Sequence, residues 1–224
     1  MAVCFFLGSL GVSAVATHSK EKLSVATMMI SALSFQGATV PLIWWFVRQH
    51  GLSLREAFGF NLTPRHAILL GVTVALGFMP VAIGLQWGVG MIADAIGFPL
   101  PTQDAVMILR LADSWVDRLG LAFATMVLAP LGEESLFRGV LYPALKRYGF
   151  PQAALWITSL LFAFIHFNAL SFVPLLVLAV LLVKLYERTG NLLSCIACHA
   201  TFNAFSFVML LLESCFKAAL EQSP

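Results

Sequence analysis

The chain has 224 residues, 60% of them hydrophobic and only 11% charged, with a mean hydropathy of +0.91. Soluble domains carry about a quarter of their residues as Asp, Glu, Lys and Arg, so this composition excludes a soluble globular domain and implies an integral, multi-pass protein surrounded by membrane lipids, in the cell membrane if the source is prokaryotic. The formal charge is +2 and there is no basic run or low-complexity tract, which argues against nucleic acid as a partner.

A helix needs about 20 apolar residues to cross a hydrocarbon core of about 30 Å. Apolar runs between charged residues or Pro/Gly breaks predict seven spans, at 1–17, 23–47, 67–96, 119–147, 151–168, 170–187 and 191–213, and hence an all-α polytopic fold. The first run has no positive charge ahead of it, and Lys20 and Lys22 follow it, so it reads as a membrane helix rather than a secretory leader. The third holds Pro80, Gly84, Gly88 and Gly90, which predicts a kink or tilt. Segments 48–66 and 97–118 read as polar loops, the second able to hold an amphipathic surface helix. Loops 48–66, 144–152 and 184–191 carry seven Lys/Arg against five for 18–22, 97–118 and the tail, which by a small margin favours the first set in the cytoplasm.

Polar and charged side chains then recur where water is scarce: Glu133 and Glu134 with Arg138, His166, and His199 with Asn203. An ionisable group inside a bilayer costs about 2.5 to 3.5 kcal/mol on insertion scales and is a functional hypothesis by default. Three such groups on successive apolar segments point to one site. Glu133 precedes the turn at Gly149-Phe150-Pro151 by sixteen residues and His166 follows Phe150 by sixteen, so at 1.5 Å per residue the two lie at a similar height. His199 and Asn203, four apart, share a helix face.

Glu133 and Glu134 point about 100° apart on a helix. Glu134 to Arg138 is the favourable spacing of four for an ion pair, which leaves Glu133 for chemistry as a general base. Two arrangements stay open. In one, Glu133 and His166 activate a water while His199 and Asn203 donate hydrogen bonds to the oxyanion of a tetrahedral intermediate. In the other, Glu133, His166 and His199 form a His₂Glu set for a divalent metal such as zinc, with a fourth position for water. Both end in hydrolysis of an acyl bond.

Glu133-Glu134-x-x-x-Arg138, Phe162-x-x-x-His166 and His199-x-x-x-Asn203, in this order on successive membrane helices, resemble the three motifs of the CPBP family, the CAAX prenyl proteases and bacteriocin-processing enzymes also called Abi proteins. The resemblance covers roughly residues 118 to 212. It implies an intramembrane endopeptidase acting on a peptide or membrane-protein substrate, with Glu133 as the catalytic glutamate of the pair, acting with His166, and with His199 and Asn203 completing the site. It also implies a division into 1–117, helices and loops without a motif, and 118–216, the catalytic transmembrane domain. Members are often labelled metalloproteases, while the eukaryotic-type enzymes are compatible with a metal-free, glutamate-dependent route.

Cys4, Cys195, Cys198 and Cys215 all fall in apolar runs, where a free thiol behaves as a small hydrophobe. Cys195-x-x-Cys198-His199 spells a c-type haem attachment pattern, but a haem could hardly be accommodated covalently inside a span and His199 belongs to the third motif, so no haem is expected. A non-catalytic alternative, a transporter, proton relay or scaffold, is disfavoured. Transporters show related halves, whereas here the polar residues sit in the C-terminal half, and a scaffold can lose catalytic residues that this chain retains.

Overall fold

Seven helices account for almost all of the chain that the computed structural model describes, residues 25–60, 63–100, 109, 112 and 114–221. They are α1 Val25–Gln49, α2 Leu54–Ala57, α3 Pro64–Ala95, α4 Trp115–Lys146, α5 Pro151–Phe164, α6 Ala169–Thr189 and α7 Leu192–Glu221. No strand occurs among the described residues. Four of the helices are long and apolar enough to span a bilayer: α3, α4, α6 and, over Leu192–Glu213, α7. The predicted span 1–17 lies outside the described residues. The predicted fifth span ends early, as a 14-residue helix of about 21 Å, short of a full crossing.

The helix ends follow from local chemistry. Ser53 and Glu56 form a reciprocal cap on α2; the Ser53 backbone and hydroxyl hold the exposed Glu56 carboxyl below the ordinary carboxylate range, so the cap is intact above that range and is lost as pH falls through it. Pro151 supplies the first turn of α5, a position where its missing N–H is no loss. Asn168 caps α6 by accepting from Ser171 N at 3.0 Å. Gly190 ends α6 in the left-handed region at φ 59°.

The chain divides into two compact units. The first comprises residues 1–41, 102–132 and 200–224. Its apolar cluster joins Leu109, Ala112, Leu121 and Phe207. Ser114 starts α4, accepting from Asp117 N at 3.1 Å, and Gln36 lies where a side chain at Gly132 would have to go.

The second unit comprises 42–101 and 133–199. Here α6 packs against α3 and α5, and the last turns of α4 pack against α5 around Tyr142, Ala154, Leu155 and Val183. At the end of this cluster Tyr142 donates to Glu187 at 2.6 Å, and Lys146 pairs with the same carboxylate. The start of α7 is held in register: Leu192 N donates to the Phe58 carbonyl at 2.9 Å, Asn191 Oδ1 accepts from Leu193 N at 2.9 Å, and Gly59 backs directly onto the Gly190 carbonyl. Two turns further on lies His199.

Gly71 lets α3 approach α7 at Ser194, Ala197 and Cys198, the small-residue contact by which membrane helices gain close packing. A Cβ at 71 would run into the Ser194 carbonyl. Gly71→Val is therefore expected to destabilise by about 1–3 kcal/mol, the usual range for overpacking, in an SDS or thermal unfolding titration. A variant as stable as the parent would show that this approach is not close in solution. Cys195 and Cys198 belong to the same packing: both are fully buried, and the Cys195 thiol donates to the Leu182 carbonyl at 3.3 Å.

Candidate active site

The segment bearing both acids is flanked by two places where α4 widens. Ala129 N bonds to the Ala124 carbonyl and Tyr142 N to the Phe137 carbonyl, each five residues back rather than four. Pro130 and Pro143 directly follow these N–H groups. A proline offers no N–H to the preceding turn, so the turn loosens, and such widened turns often mark functional sites.

The two acids diverge as their spacing predicts. Glu134 Oε1 accepts from Arg138 Nη1 at 2.9 Å and lies 2.8 Å from His199 Nδ1. Arg138 also donates through Nη2 to the Ala179 carbonyl of α6 at 3.0 Å, and its guanidinium lies 4.6 Å from the Phe162 ring centre. The expected Glu134–Arg138 pair is present. The sequence reading did not foresee that His199 shares the same carboxylate oxygen, because spacing cannot say which acid an imidazole three segments away will meet.

Glu133 turns instead toward α5, with Oε2 4.0 Å from His166 Nε2. The equal-height argument placed the two opposite one another, and they are. His166 lies just past the end of α5, however, rather than inside a span. Its Nδ1 sits 2.7 Å from the Phe162 carbonyl. A carbonyl only accepts, so Nδ1 carries a proton, and Nε2 is the ring nitrogen that faces Glu133, an acceptor whenever the ring is neutral.

Burial separates two tiers. The side chains of Glu134, Arg138 and His199 are 0%, 1% and 2% exposed, whereas those of Glu133 and His166 are 13% and 29% exposed. Phe162 joins the tiers, its ring centre 4.9 Å from that of His166 and 5.6 Å from that of His199. The spacing of four between Phe162 and His166 is the sequence signal that the two share a face. Phe164 pairs with Phe172, and Phe167 is largely exposed.

Asn203 is described with the first unit, where its amide donates to the Thr125 carbonyl at 2.8 Å. That carbonyl lies five residues before Pro130 and is one that the widened turn leaves without a backbone donor. His199 Nδ1 meets Glu134, and its Nε2 is the ring nitrogen left to any further partner; among the described residues no group of three or more His, Cys, Asp or Glu stands close enough together to hold a metal ion.

A polytopic helical membrane protein with a half-accessible Glu–His pair over a buried Glu–Arg–His cluster is the class that fold and site define. Residues 115–205, which contain all three motifs, match the family model described as Rce1-like, type II CAAX prenyl endopeptidase. The chain is also 36% identical over 88 residues to the "Uncharacterized protein YpbD" of Bacillus subtilis (strain 168), a match covering 38% of this chain and 42% of that relative, so the chain spans less than half the length of the curated relative it matches. No solved structure matches.

Proposed function

We propose that this protein is an intramembrane endopeptidase that hydrolyses peptide bonds of membrane-associated proteins or peptides. The observation that carries the reading is the Glu133–His166 pair at 4.0 Å, the accessible members of an otherwise sealed cluster. A water seated between them donates one hydrogen bond to Nε2 of a neutral His166 and gives its other proton to the Glu133 carboxylate as its oxygen attacks the scissile carbonyl. Protonated Glu133 then returns that proton to the departing amine.

The oxyanion needs a donor. With Nδ1 2.8 Å from Glu134 Oε1, His199 can serve as that donor only through an N–H on Nε2. Asn203, four residues further along α7, is the second donor that the motif implies. The metal alternative would place zinc on Glu133, His166 and His199, and would supply a polarised water.

The test is cleavage of a panel of membrane-tethered peptides, including prenylated tails and leader-type segments, by the purified full chain in lipid nanodiscs, with metal content measured on the same preparation. Cleavage at full rate with far less than one metal per chain is expected. Stoichiometric metal whose removal abolishes cleavage would overturn the metal-free mechanism, and absence of any cleavage would overturn the peptidase reading.

A further inference from the structure

Four hydroxyls on the described helices, Thr158 buried and three others half-buried, bond a carbonyl one turn back in the usual way: Thr125 to Leu121, Thr158 to Ala154, Thr189 to Leu185 and Ser206 to Phe202. Ser159 does not. It is fully buried in α5, and its hydroxyl has no hydrogen-bond partner among the described residues. Two further buried polar atoms share that condition, Arg138 Nε and Glu134 Oε2, and both belong to the cluster beneath the reactive pair. A buried hydroxyl that ignores its own helix calls for a partner elsewhere.

Helix periodicity says where Ser159 points. Leu155 and Phe162 lie four before and three after it, on one stripe of α5, and His166 follows just past the helix end. Leu155 clusters with Tyr142, Phe162 lies against Arg138 and Phe137, and His166 faces Glu133. Every neighbour on the stripe thus meets α4. The pairings run antiparallel, 155 with 142, 162 with 138 and 166 with 133, so Ser159 falls at a level between Tyr142 and Arg138. Gly139, Val140 and Leu141 between them carry no polar side chain, and the Tyr142 hydroxyl is bonded to Glu187, which leaves the Arg138 guanidinium as the polar group on α4 to meet Ser159.

We propose that Ser159 is a positioning residue of the site: one internal water joins its hydroxyl to Arg138 Nε and Glu134 Oε2. The three atoms supply what a buried water requires, an N–H donor, a carboxylate acceptor and a hydroxyl that can do either. Arg138 is then held on every side, by Glu134, by the Ala179 carbonyl, by Phe162 and by this water. The arginine fixes the Glu134 oxygen that orients His199. Ser159 acts through that chain and touches no reacting atom; its effect on turnover rests on the peptidase reading, while its effect on Arg138 does not.

The experiment uses the full chain in nanodiscs, labelled with ¹⁵N-arginine, as parent and as Ser159→Ala. The Arg138 Nε resonance, assigned by its loss in Arg138→Lys, is expected to move in Ser159→Ala and its proton to exchange faster. The melting temperature is expected to fall, because removal of the hydroxyl strands the water's partners. With a cleaved peptide in hand, kcat should drop about tenfold with KM within about twofold, as loss of an outer orienting partner does at metal-ligating histidines. An unmoved Nε resonance together with an equal or higher melting temperature would show an idle hydroxyl and overturn the inference, whatever the cleavage assay reports. A moved resonance in a chain that cleaves nothing would uphold the inference and count against the peptidase reading.

Discussion

Glu133→Gln will reduce peptide cleavage by at least the 10²- to 10⁴-fold that a positioned general base contributes, and it will leave the melting temperature close to that of the parent. Glutamine matches glutamate in shape and can hydrogen-bond, but it cannot take a proton from water. The substitution also spares the buried cluster, since Arg138 and His199 both bond Glu134. Cleavage of a membrane-tethered peptide and a thermal unfolding curve on the same preparation check both halves. A variant with parental kcat would show that Glu133 is not the base.

Glu134→Ala acts in the opposite sense. It is expected to lower stability by about 3–5 kcal/mol, the usual cost of removing one partner from a buried ion pair. Arg138, 1% exposed, would lose its carboxylate and keep the neutral Ala179 carbonyl as an acceptor, and His199 Nδ1 would lose the acceptor that Glu134 supplies. Activity should fall as well, because the His199 ring is then unoriented. The double variant Glu134→Ala/Arg138→Met should recover much of the lost stability, since it removes the stranded guanidinium, but not the activity. Unfolding titrations of the three chains measure this; a loss below about 1 kcal/mol for Glu134→Ala would mean that the pair is not desolvated as its burial indicates.

These two outcomes separate neighbouring residues that composition alone treats alike, and they show how far the sequence reaches. The spacing of four between Glu134 and Arg138 and the symmetric distances of Glu133 and His166 from one turn were enough to pair them, because helix geometry is regular. Apolar runs located the helices to within a few residues for the same reason, 67–96 against Pro64–Ala95 and 170–187 against Ala169–Thr189. The match of residues 115–205 to the Rce1-like model agrees with the resemblance read from the three motifs.

What periodicity could not supply were the departures from it. The widened turns after Ala124 and Phe137 follow from Pro130 and Pro143, a legible but local signal that sets no rotation by itself. The end of α5 at Phe164, which leaves His166 free to fold back onto the Phe162 carbonyl, carries no cap residue to announce it. The sharing of Glu134 by Arg138 and His199 depends on how α4 and α7 are rotated, which Gly71 and the Phe58–Leu192 contact set from a distance. Ser159 was invisible for the same reason. Only the burial of its hydroxyl distinguishes it from an ordinary helix serine.

The central claim is that water held by Glu133 and His166 is the nucleophile, and cleavage in ¹⁸O-water tests it most directly. The full chain in nanodiscs, given a membrane-tethered peptide and analysed by mass spectrometry after a single turnover, should yield an N-terminal fragment with one ¹⁸O in its new carboxylate, and Glu133→Gln should yield none. Equal ¹⁸O incorporation by parent and Glu133→Gln, or cleavage by the parent without incorporation, would contradict the account.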